Sequence, residues 1–223
     1  RSLVLPDKIV PGGSVLLEGK KIAAVNVPCP PDARRVDVDG SYIMAGFVDI
    51  HVHGGGDSDF MDEDASAFPT IAKAHCAHGT TALCPTTMTC ADSLLEKTID
   101  LFLEADKEPE NGAELLGLHL EGPYFSAASK GAQPIGEQRI PEREDLERIL
   151  RRAKGSILRW DAAPELPNME LFAKVMAENG VLASLAHSAA TAPEALRAFD
   201  WGFSHVTHFY NACTTFHKKN GLV

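Results

Sequence analysis

Val181-Leu182-Ala183-Ser184-Leu185-Ala186-His187, followed by Thr191-Ala192-Pro193-Glu194, decides the fold. The first run is almost wholly apolar and closes on a histidine, as a strand buried on both faces does. Thr191 with Glu194 three positions on fits a capping box, and Pro193 sits where a helix opens. Strand, short loop and helix make one unit, and the rhythm continues in both directions. Strand-like runs fall at residues 46–53, 80–86, 115–121, 157–163, 181–187 and 204–211. Helical patterns lie between them at 65–78, 93–105, 142–153, 169–179 and 193–198. Such alternation belongs to a parallel sheet covered by helices.

The polar groups of these runs gather at their C-terminal ends: His51 and His53, then Glu121, His187 and His208. In a (β/α)8 barrel that rim carries the active site; in an open α/β sheet the same edge does so at its switch point. Five ligand-type residues from four strands favour the barrel. A full barrel has eight units in about 250 residues, and six strands are counted here. The opening 45 residues read differently. Ser14-Val15-Leu16-Leu17 and Lys21-Ile22-Ala23-Ala24-Val25 flank Glu18-Gly19-Lys20 as a hairpin, and Pro28, Pro30 and Pro31 then keep the chain irregular. The expected division is a small β module over 1–45 and a barrel domain over 46–223, about six of eight βα units.

The chain has 223 residues, 21 basic and 31 acidic, for a net charge of −10. This lacks the basic footprint of nucleic-acid or anionic-membrane binding. Hydrophobic residues make up 44% and charged residues 23%, which excludes a disordered chain or a coiled coil. Arg1 to Gly13 does not read as a signal peptide, and no window reaches the roughly 18 apolar residues of a membrane span. Cys29, Cys76, Cys84, Cys90 and Cys213 are odd in number, with no Cys-x-x-Cys pair. A reduced, cytoplasmic protein is expected, without a disulfide framework or a cysteine zinc site.

Strand alternation places His51 and His53 on one face, where two imidazoles can chelate one transition metal. Glu121, followed by Gly122-Pro123, sits on a sharp turn into the rim; it binds metal or caps a loop. His119 shares its parity and either orients that carboxylate or is a core histidine. Neutral His187 and His208 suit zinc, iron, nickel or copper. His205 has the opposite parity to His208 and is assigned to packing, as His75 and His78 are assigned no role. Phosphate-loop, dinucleotide and nucleophile-elbow motifs are absent from the sequence.

Taken in order, several stretches resemble the N-acetylglucosamine-6-phosphate deacetylases of the amidohydrolase superfamily. They are residues 45–54, Gly79-Thr80-Thr81, Pro85-Thr86-Thr87, His119-Leu120-Glu121-Gly122-Pro123-Tyr124, Lys130-Gly131-Ala132-Gln133-Pro134, Ala186-His187-Ser188 and 205–212. The resemblance implies an α/β fold, a (β/α)8 TIM-like barrel with a small N-terminal β-sandwich module, its last strands absent from this chain. It implies a metal-dependent hydrolase that removes the acetyl group of N-acetylglucosamine-6-phosphate by attack of an activated water. Glu121, His187 and His208 match the principal metal site, and His51 and His53 the additional site of two-metal members, with Glu121 as the bridge. One or two divalent ions are implied, zinc by default; iron, manganese or nickel fit the same ligands. Gln133, Asn211, Ala212 and Lys219 stand where the family contacts its sugar phosphate, Lys219 replacing an arginine. The family's proton-transferring aspartate is expected beyond Val223, so no catalytic residue is assigned within the chain. The implied partners are a small-molecule amino-sugar phosphate and a second copy in a homodimer, with no nucleic acid and no membrane. An open barrel exposes two sheet edges, so this span alone is expected to be poorly soluble or inactive. Two alternatives stay open: a non-catalytic barrel used for binding or assembly, and an amidohydrolase acting on another amide.

Overall fold

The protein is seen in a computed structural model that describes residues 2–38, 40, 42–134 and 136–214. The chain divides into two compact units, Arg1–Phe47 and Val48–Val223. In the first, β1 (Ser2–Val4) pairs antiparallel with β2 (Ile9–Pro11) and parallel with β5 (Tyr42–Ile43). The hairpin of β3 (Val15–Glu18) and β4 (Lys21–Val25) forms a separate two-stranded sheet. Its turn uses Gly19 at φ 59°, a left-handed value that glycine adopts without strain.

The larger unit opens with β6 (Phe47–Val52) and a small hairpin, β7 (Gly54–Gly55) with β8 (Ser58–Asp59). Then follow α1 (Ala67–Cys76), β9 (Thr80–Thr87), α2 (Asp92–Glu104), β10 (Glu114–Leu115) and β11 (Leu118–Tyr124). The rest is α3 (Arg143–Ala153), β12 (Ile157–Ala162), α4 (Met169–Glu178), β13 (Leu182–Leu185), α5 (Ala192–Trp201) and β14 (His205–Val206). Strand order follows chain order. β6 pairs with β9; β10 and β11 flank successive parts of β9; β12, β13 and β14 follow. The pairs from β9 through β14 are parallel.

The sheet is strongly curled. Laid flat, β6 and β14 would stand five strand spacings apart, about 24 Å. Yet the rings of His51 on β6 and His208 just beyond β14 lie 5.6 Å apart between centroids. Curling brings the strand ends to one rim.

Helices cover the outer face. On α3, Leu146, Ile149, Leu150 and Ala153 recur at helical spacing and are buried, with Arg and Glu on the other side. Outward-facing Leu118, Leu120 and Trp160 are fully buried against Ile99, Phe102 and Phe172. Burial of each such side chain stabilises by about 1.5–3 kcal/mol. The capping box of α5 forms as its sequence suggests: the Thr191 backbone N–H donates to Glu194 Oε2 at 2.8 Å.

Two expectations need correction. The strand runs are not apolar on both faces: the inner face carries buried Thr86, His119, Glu121, Arg159, Asp161, Ser184 and Thr207. Alternation hides in the sequence because the outward residues, such as Leu118, Trp160 and Leu185, are long and apolar. The sixth run is also shorter than 204–211. β14 ends at Val206, and His208, Tyr210 and Ala212 take left-handed φ values of 32°, 75° and 49°.

Candidate metal centre

Glu121 lies on β11 with 3% of its surface exposed, and four imidazoles converge on its carboxylate. His187 Nε2 and His208 Nε2 lie 3.0 and 3.1 Å from Oε1. His53 Nε2 lies 3.2 Å from Oε2, and His51 Nε2 3.5 Å from Oε1. His51 and His53 share a face, as strand alternation requires, with their Nε2 atoms 3.2 Å apart. His187 and His208 also bring their Nε2 atoms to 3.2 Å. These two have left strand geometry, with φ of 46° and 32°. Histidine tolerates that region better than most residues, and such backbone outliers gather at functional sites.

The far side of each ring is anchored. His53 Nδ1 lies 3.2 Å from the Thr86 carbonyl, His187 Nδ1 3.0 Å from that of Ser129, and His208 Nδ1 3.0 Å from that of Asn211. A carbonyl only accepts, so each Nδ1 carries a proton, and in the neutral ring each Nε2 presents a lone pair. Three lone pairs therefore face carboxylate oxygens at hydrogen-bond range, an arrangement that calls for a proton or a cation between them. The spacing suits a cation. Tetrahedral zinc with nitrogen bonds of 2.0–2.1 Å places its ligand nitrogens about 3.3 Å apart. Two ligand groups share Glu121: His51, His53 and Glu121, and Glu121, His187 and His208, with all ligand atoms of a group within 4.8 Å.

Burial pushes the Glu121 carboxyl up, but hydrogen bonds from His187, His208, His51 and His53 outweigh it and hold it far below the usual carboxylate range. Burial lowers His53, and the Glu121 hydrogen bond and charge more than reverse that, for a net rise. The Glu121 hydrogen bond likewise raises His208.

Gln133, expected on the substrate, is 3% exposed and engaged at both ends. Its Nε2 donates to Glu121 Oε2 at 3.0 Å, and its Oε1 accepts from the Thr89 N–H at 2.8 Å. It holds the shared carboxylate, and the Thr89 donor fixes which way its amide points. Asn211 is exposed in the His208 turn, where its backbone bonds His208 in both directions. The Ala212 carbonyl accepts from Ser188 N at 3.0 Å. Lys219 lies outside the described residues. His75 bonds the Gly54 carbonyl at 3.0 Å and so supports the β7 hairpin rather than lacking a role.

One parity argument fails and another holds. His205 does not pack outward: its Nδ1 meets Ser184 Oγ at 2.9 Å on the inner face. The comparison with His208 misleads because the chain leaves β14 between them. His119 shares the inner face with Glu121, as its parity requires, and is a core histidine, 1% exposed, with polar partners other than Glu121. Its Nε2 lies 2.9 Å from Asp161 Oδ2, and its Nδ1 2.8 Å from Arg159 Nη2. Arg159 and Ser184 carry no motif in the sequence, although Arg159 and Asp161 are polar at one parity within Ile157-Leu158-Arg159-Trp160-Asp161-Ala162.

The turn after Glu121 requires glycine. Gly122 has φ 100°, and a Cβ there would stand 2.1 Å from Thr89 Oγ1. Gly122→Ala is expected to cost on the order of 3 kcal/mol through strain and overpacking. In thermal melts that is a fall of roughly 6–12 °C; an unchanged midpoint would show that the turn relaxes freely.

Fold and site together define an α/β protein with a histidine–carboxylate cluster capable of holding a metal ion at the C-terminal rim of a curled parallel sheet. Residues 42–218 match the amidohydrolase family, and the chain belongs to that family. It is 30% identical over 224 residues to N-acetylglucosamine-6-phosphate deacetylase of Bacillus subtilis (strain 168), covering 98% of this chain and 57% of the relative. It is equally 30% identical, over 203 residues, to N-acetylgalactosamine-6-phosphate deacetylase of Escherichia coli O157:H7, covering 91% and 53%. The crystal structure of N-acetylglucosamine-6-phosphate deacetylase from Pasteurella multocida matches with a TM-score of 0.76 at 28% identity, covering 92% of this chain and 54% of that one. The chain spans about half the length of the curated relatives it matches.

Proposed function

We propose that the protein acts as a metal-dependent deacetylase of N-acetylglucosamine-6-phosphate, hydrolysing the amide to glucosamine-6-phosphate and acetate. The observation that carries the reading is the convergence of four Nε2 atoms on the buried Glu121 carboxylate, in a chain of the amidohydrolase family. When bound, a divalent metal supplies a Lewis acid for the amide oxygen and lowers the pKa of water. Glu121, His187 and His208 would hold one ion, and His51 and His53 a second shared through Glu121. The Ser129, Asn211 and Thr86 carbonyls keep His187, His208 and His53 in the tautomer that a metal needs. Gln133 enters through Glu121, whose Oε2 it holds. Asn211 and Ala212, on the His208 turn, and Lys219 are proposed to contact the sugar phosphate.

Zinc is the proposed metal, from the histidine-rich oxygen and nitrogen donor set. A (β/α)8 TIM-like barrel, an N-terminal β-sandwich, a homodimer and a cytoplasmic setting belong to the same proposal. Five free cysteines support the last. Among the described residues no helix is long and apolar enough to cross a membrane.

Metal per chain, measured by elemental mass spectrometry on protein purified without chelators, tests the reading. Two ions are expected. One ion would restrict the site to Glu121, His187 and His208, and none after zinc addition would end the hydrolase reading. The equal similarity to a galactosamine-specific relative sets a second arm. Calorimetry on zinc-loaded protein is expected to show tighter binding of glucosamine-6-phosphate than of galactosamine-6-phosphate; the reverse order would reassign the sugar.

A further inference from the structure

Beneath the metal ligands lies a buried polar layer that the proposed chemistry does not use. It runs through His119, Arg159, Asp161, Thr86, Thr207 and Ser184, all less than 9% exposed. One branch closes on β6. Arg159 Nη2 donates to the Ile50 carbonyl at 3.1 Å and to His119 Nδ1 at 2.8 Å. His119 Nδ1 lies 3.1 Å from Thr86 Oγ1, which accepts from the Val52 N–H at 3.0 Å. Ile50 and Val52 are the two neighbours of His51. A chain of side chains from β12, β11 and β9 thus grips the backbone on both sides of that histidine. The His119 ring also stands edge-on to the His51 ring, with 4.8 Å between centroids.

Arg159 Nη2 lies within 3.1 Å of both ring nitrogens of His119, and His119 Nε2 lies 2.9 Å from Asp161 Oδ2. Asp161 Oδ1 in turn accepts from Thr207 Oγ1 at 2.9 Å. His119 is therefore held in place by groups from neighbouring strands.

We infer that His119, Thr86 and Arg159 are positioning residues for His51, and that the metal position formed by His51, His53 and Glu121 depends on them. The position formed by Glu121, His187 and His208 is held instead by the Ser129 and Asn211 carbonyls. The inference deepens the metal-site reading above and rests on it.

The test is titration of chelator-stripped protein with zinc against a chromophoric chelator, which resolves two binding events. Thr86→Val keeps the side-chain shape and removes the hydroxyl; His119→Phe keeps a ring and removes both nitrogens. Each is expected to weaken one event about 10–100-fold, the range for loss of an outer partner, and to move the other less than about threefold. Ser184→Ala alters the same layer on its far side, toward His205 and Thr207, and is expected to leave both events unchanged. In a His51→Ala background, adding Thr86→Val is expected to shift the remaining event less than about threefold. If His119→Phe does not fold, Thr86→Val decides. Equal weakening of both events, weakening of neither, or the same effect from Ser184→Ala would overturn the inference. Wild type binding one ion, unaffected by His51→Ala, would overturn it while the hydrolase reading stands. Wild type binding none would end both.

Discussion

Glu121→Ala is expected to strip both metal ions from the protein, whereas no single histidine substitution does so. The carboxylate is the one acidic group shared by the two ligand sets, with Oε1 facing His187 and His208 and Oε2 facing His53. Removing it deletes a ligand from each position and the negative charge that offsets two cations. Loss of an outer partner alone costs about 10–100-fold in affinity. Loss of the shared ligand is expected to exceed that, at about 10³-fold or more for each ion, with catalysis falling alongside. His51→Ala should weaken only the ion beside His53, and His187→Ala only the ion beside His208. Elemental mass spectrometry after identical purification compares them directly. If Glu121→Ala retained one tightly held ion, the carboxylate would belong to a single position and the bridging geometry would be wrong.

The sequence discloses the outer half of this architecture more readily than the inner half. Helices and strands appear because the outward face is a repetitive packing problem: Leu146, Ile149 and Ala153 recur at helical spacing whatever lies inside the curled sheet. The five proposed metal ligands stand out because each is polar at the end of an apolar run. His208 illustrates the limit of that reasoning. Its place in the cluster depends on a left-handed turn at 208, not on continuation of β14, and histidine's modest preference for that region is too weak a signal to announce such a turn. The same break misplaces His205. The grip of Arg159 on Ile50 joins residues 109 positions apart, and only the curl of the sheet brings them together. Gln133 lies in a loop without periodicity, so its bond to Glu121 is a tertiary fact. In each case the missing information is long-range geometry rather than local preference.

Zinc is expected to raise the melting temperature of the chelator-stripped protein, and the gain should grow with pH. One ion present at a thousand times its dissociation constant adds about 4 kcal/mol, or roughly 10 °C for a chain of this size. The pH dependence follows from the same cluster. Without metal, His53 and His208 have folded pKa values raised by Glu121. Their contribution is full below the unfolded value of about 6.5 and is lost as pH rises through the raised folded value. The Glu121 carboxyl is held low, so its contribution is present above about 4.3 and is lost as pH falls through its depressed folded value. The metal-free cluster therefore stabilises most between about pH 4.5 and 6.5. A metal requires the same imidazoles without their Nε2 protons, so its binding releases protons and strengthens as pH rises. From pH 6 to 8 the metal-free protein loses the histidine contribution while the zinc-loaded protein gains affinity. The difference between paired melts should widen over that range. A difference that stayed flat would mean that the protons on His53 and His208 do not compete with the metal, and that these two histidines are not its ligands.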